Sequence, residues 1–169
     1  MVCLCMRNAY AVKETLKTKF FWFGIIGSII LLIGLIIPQF FYTGRQSERY
    51  SMINHFVSEL GELGVSEGAI IFNVCTFIGG ILFIPFMIGL GQYMENKIGI
   101  IGAIIGIITA IGCALVGIFP MNSETLTNHA IAALTFFQGS ILTTLVFTLS
   151  ILIQKEIKIP KLYSIGGFI

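Results

Sequence analysis

Four stretches of this chain, residues 20–41, 69–90, 98–119 and 130–153, are predominantly apolar and hold no charged side chain. A helix crossing about 30 Å of hydrocarbon needs roughly 20 such residues. Inside hydrocarbon the backbone must satisfy its own hydrogen bonds, which leaves only helices and closed barrels. The runs are too long for barrel strands and lack their two-residue alternation. The chain therefore reads as all-α: a polytopic transmembrane helix bundle forming a single membrane domain over residues 1–169, with four complete spans plus the start of a fifth. That fifth run opens near Leu162 and reaches Ile169, too short to cross, so the chain reads as stopping within it. Only 11% of residues are charged and 56% are hydrophobic, whereas a soluble domain is about 25% charged. So few charges cannot cover a soluble surface.

Lys and Arg in the short loops set orientation. Arg7, Lys13, Lys17 and Lys19 precede the first span, Lys97 lies between the second and third, and Lys155, Lys158 and Lys161 follow the fourth. Arg45 and Arg49, between the first and second spans, are the only two on the other side. The sequence thus predicts a multi-pass protein of the cell membrane with its N-terminus in the cytoplasm. The first span reads as a signal anchor: its apolar core is longer than that of a cleavable signal, and residues 39–44 show no small-x-small cleavage site. A net charge of +2 gives no reason to expect nucleic acid; membrane lipids are the expected partners. Cys3 and Cys5 fall in the reducing compartment and Cys75 and Cys113 within spans, so no disulfide framework is expected. No cofactor and no metal are implied.

In the third span Gly102, Gly106, Ala110 and Ala114 recur every fourth residue, a stripe that allows close backbone approach in lipid. It is expected to pack against a neighbouring span of the same chain, with homo-oligomerisation through span three as the alternative. Between the first two spans, Met52, Ile53, Phe56, Val57, Leu60 and Leu63 follow helical spacing, predicting a short interfacial helix over about 52–63, broken by Gly61 and Gly64. His55 and Glu59 share its other face. Ser66 is placed to cap the second span.

Ser58-Glu59-Leu60-Gly61, then Phe72-Asn73 in the second span, Gly117-Ile118-Phe119-Pro120 closing the third and His129 opening the fourth resemble the domain-of-unknown-function 998 family. The resemblance covers roughly residues 20–154. It implies a small prokaryotic multi-span membrane protein without an established activity, and members carry more spans than are counted here. A similar signature between the first loop and the second span occurs in the Frag1/DRAM/Sfk1 group of lipid-associated eukaryotic membrane proteins, a distant analogy only.

The motif residues Ser58, Glu59, Gly61, Asn73, Phe119, Pro120 and His129 all map to the outer mouth of the bundle. Ionisable groups there are costly unless paired. Glu59 is therefore expected to bond His129 or Asn73, as a structural clasp or as part of a lipid or small-ligand site. The helix starts at Asn73 and His129 favour an anion such as a lipid phosphate. An intramembrane enzyme or metal site using Glu59 and His129, with His55 as a third zinc ligand, is the alternative. Yet Ser58 and Glu59 would point about 100° apart on a helix, and no HExxH, CxxC or nucleotide fingerprint is present. A small-molecule transporter is the second alternative. Pro85 interrupts span two, but no span carries a charge at its centre. The sequence thus leans away from an enzyme.

Overall fold

The computed structural model describes the backbone over residues 2–167 and side chains over residues 19–167. The expectations for Cys3, Cys5, Arg7, Lys13 and Lys17 concern side chains outside that range, as does the end of the last apolar run. The architecture is an all-α bundle of α1 (Val2–Phe40), α2 (Ala69–Met94), α3 (Lys97–Ile118) and α4 (Leu126–Ile153). Each is long and apolar enough to cross a membrane; in α1 the qualifying part is Lys19–Phe40. The helices pack in chain order, α1 on α2, α2 on α3 and α3 on α4. Among the described residues α1 and α4 hardly touch, so the bundle is an arc with one open side.

Local chemistry sets the helix ends. Pro38 is fully buried near the end of α1, and a Cβ on Gly68 would lie only 2.7 Å from its Cα. That contact fixes the approach of the chain into α2. The side chain of Gln39 donates to the Leu35 carbonyl (2.8 Å). Pro85 does not interrupt α2, which runs unbroken from Ala69 to Met94; neighbouring helices make such prolines tolerable. Glu95 then turns the chain in the left-handed region (φ 51°), and Asn96 caps α3 by accepting from the Gly99 amide (2.8 Å). Pro120 helps to end α3, since a residue before proline is pushed out of the helical region and Phe119 sits at φ −105°, ψ 89°. α4 starts about one turn before its apolar run, because Leu126, Thr127, Asn128 and His129 form its first turn.

The small-residue stripe of α3 lies inside the bundle. Gly102, Gly106, Ala110 and Ala114 are all buried. A Cβ on Gly106 would sit 2.6 Å from Met87 Sδ on α2 and 3.3 Å from Thr143 Cγ2 on α4. A Cβ on Gly80 of α2 would sit 2.5 Å from the Ala114 nitrogen and 2.7 Å from the Ala110 oxygen. Backbone thus meets backbone, and van der Waals contact replaces the hydrophobic drive that lipid does not supply.

The segment between α1 and α2 departs from expectation. A turn occupies residues 52–54 and a single 3-10 helix spans Val57–Gly61; the 52–63 helix does not form. Helical spacing failed because these apolar residues do not share a face. Leu60 is 0% exposed, whereas Ile53 is 94% exposed. Ser66 does not cap α2 through its hydroxyl either. Gly68 holds that position without a side-chain bond, and the Ser66 carbonyl accepts the Ala69 amide instead (3.1 Å).

At the opposite end of the bundle, Ser150 donates to Asn96 Oδ1 (2.9 Å). Gln154 holds the Lys158 and Ile159 amides and the Ile159 carbonyl, and Lys158 pairs with Glu95. The chain then folds back along α4 as a 3-10 helix, Lys161–Gly167.

Candidate functional site

The seven motif residues lie at the end of the bundle that carries the α1–α2 segment, each with a definite partner. Asn73 Nδ2 donates to the Gly61 carbonyl (2.9 Å). Gly61 must be glycine here, because a Cβ would collide with Asn73 Oδ1 and Phe72 Cδ1 at 2.5 and 2.6 Å. Ser58 Oγ donates to Met121 Sδ (3.1 Å). The Phe119 carbonyl accepts from His129 Nδ1 (2.7 Å), and the Pro120 carbonyl accepts from Thr125 Oγ1 (2.5 Å).

Glu59 is the correction. It reaches neither His129 nor Asn73. Its Oε2 accepts from the Tyr42 hydroxyl (3.0 Å) and its Oε1 from the Phe56 amide (2.8 Å). The 3-10 geometry turns its carboxylate back toward the end of α1. A clasp exists, but other hands hold it. Asn122 forms a two-point bond with Leu63, its Oδ1 accepting the amide (3.1 Å) and its Nδ2 donating to the carbonyl (2.9 Å). Arg45 pairs with the buried Glu62 (2.5 Å). Tyr42 is 4% exposed and sits edge-on to Tyr50 and His55. Its phenol is pushed up to about 12, first by burial and then by the Glu59 carboxylate.

Asn73 and His129 are not the helix starts: α2 begins at Ala69 and α4 at Leu126, and the His129 amide donates to the Thr125 carbonyl (2.8 Å). The metal reading lacks a ligand set: no group of three or more His, Cys, Asp or Glu lies together among the described residues.

The pinned segment instead roofs a cavity of about 530 Å³ on the open side of the arc. Its walls are Leu31 and Leu35 of α1 facing Ala133, Phe136 and Phe137 of α4. Phe72, Thr76, Cys113 and Val116 form its floor, and residues 55–58 with His129 close its loop end. Glu59 is not among the lining residues, so its motif neighbour Ser58 faces the cavity while Glu59 braces the roof from behind. A second cavity of about 240 Å³ continues along the bundle, sharing Leu31, Cys113 and Phe136 with the first.

Residues 21–169 match the family described as "Protein of unknown function (DUF998)". The chain belongs to the DUF998 family. No curated protein and no solved structure matches it. In this DUF998 chain the sequence reading missed Tyr42, Arg45, Asn122, Thr76 and Cys113. Tyr42 and Asn122 each sit beside the end of a span, where a lone polar residue is a signal for a bond across segments. Thr76 and Cys113 carried no signal, because a Thr or Cys within a span is ordinarily satisfied by its own helix.

Proposed function

We propose that this chain is an integral protein of the cell membrane, N-terminus in the cytoplasm, that binds an apolar, lipid-like ligand in the groove between α1 and α4 at the outer mouth. One observation carries the reading: a cavity of about 530 Å³, within the usual range of small-molecule sites, walled by two helices that do not close on each other. A partly open apolar space of that size on the lipid-facing side of a bundle is filled most favourably by hydrocarbon. The braced roof supports the same reading, since a preformed pocket spares the ligand the cost of ordering it.

Ala133 lines the groove, away from the clasp bonds. Ala133→Trp should fill the space while leaving every one of those bonds in place. Native mass spectrometry of the full chain in detergent tests this. The unmodified protein should retain lipid adducts and Ala133→Trp should lose most of them; equal adducts on both would refute the groove as the site.

A further inference from the structure

Resting on that reading, we infer that the groove selects an uncharged membrane lipid bearing a free hydroxyl, an acylglycerol with one chain in the groove, over phosphate-bearing lipids. The argument is an account of hydrogens. A carbonyl only accepts, so His129 Nδ1 must carry the proton it shares with Phe119 O, and in the neutral ring Nε2 is then a bare acceptor. Among the described residues no partner meets that Nε2, and His129 lines the groove.

The other polar linings are in the same condition. Ser58 spends its hydrogen on Met121 Sδ, Thr76 on the Phe72 carbonyl (2.7 Å) and Cys113 on the Thr76 carbonyl (3.7 Å). His55 Nδ1 meets the Ser51 amide (3.1 Å) and the Ser51 carbonyl (3.3 Å), and its Nε2 faces the Glu48 carboxylate at 3.5 Å, so both ring nitrogens are engaged within the segment. Every side-chain hydrogen of these residues is thus directed into the protein, so His129, Ser58 and Thr76 have side-chain lone pairs left to offer a ligand. No Lys or Arg lines the groove.

A phosphate or a further ester in place of the free hydroxyl would meet acceptors with acceptors and leave its own oxygens desolvated, a cost of order 1–3 kcal/mol per group. A hydroxyl supplies the missing hydrogen and keeps charge out of hydrocarbon.

Three probes with identical tails test this on the unmodified full chain in detergent: 1,2-dioleoylglycerol, its 3-acetyl ester, and dioleoyl phosphatidic acid. Thermal unfolding is followed against probe concentration. Dioleoylglycerol should raise the melting temperature at concentrations about tenfold lower than either of the others, the equivalent of one hydrogen bond. His129→Phe should abolish that preference. If this variant fails to fold, Thr76→Val, which removes one acceptor at nearly constant shape, should reduce it. Equal stabilisation by the acetyl ester or by phosphatidic acid would overturn the hydroxyl selectivity and leave the groove reading standing. No stabilisation by any of the three would overturn both.

Discussion

Tyr42 joins the end of α1 to the roof of the groove through one hydroxyl, and the consequences can be measured. Tyr42→Phe keeps the ring contacts with Tyr50 and His55 and removes only the bond to Glu59. It should cost about 1 kcal/mol, read as a lower melting temperature in detergent. The phenol adds a signature in pH. Its pKa is raised from 10.0 to about 12 in the folded chain, so its contribution is fully present below pH 10.0 and is lost as pH climbs through about 12. An alkaline melt should therefore show a loss of stability across that window which is smaller in Tyr42→Phe. Identical alkaline profiles for the two proteins would remove Tyr42 from the clasp. The structure brings the motif residues Asn73, Gly61 and His129 to one end of the bundle. The motif could not give the partner of Glu59, because a 3-10 turn and an α-helix differ in where residue 59 points, and apolar spacing alone does not distinguish them.

At the scale of elements, the four spans were legible because hydrocarbon permits so little else. The segment between α1 and α2 was not. Its order comes from bonds to distant residues, such as Leu63 with Asn122 and Tyr42 with Glu59, and local periodicity carries no trace of these. The stripe on α3 was legible as a pattern, and the structure adds which neighbours it meets. Gly106→Leu should destabilise the bundle by about 1–3 kcal/mol, the usual cost of overpacking, since the new side chain would have to displace Met87 and Thr143 together. Ile104→Leu, at a lipid-exposed position of the same helix, is the control. Similar melting of the two variants would argue against the packing role.

For the whole molecule, topology is the open measurement. Four spans put residues 41–68 and 119–125 on one side and residues 95–96 and 154–167 on the other. The contacts of Leu63 with Asn122 and of Asn96 with Ser150 agree with that division. Eight of the ten Lys and Arg fall before the first apolar run, between the second and third, or after the fourth, so a reporter active only in the cytoplasm should work when fused after Lys158 and fail near Ser123. The reverse pattern would invert the molecule and place the groove at the inner leaflet.

Because α1 and α4 leave their gap facing sideways, the proposed ligand would reach the groove by moving within the leaflet rather than by leaving water. What governs occupancy is then the mole fraction of that lipid among its neighbours. An aqueous dissociation constant would mostly report how strongly the molecule partitions into the bilayer. A modest local enrichment, produced by an enzyme acting on lipids nearby, would fill the groove without any change in the surrounding solution. The protein would respond to the composition of its own membrane.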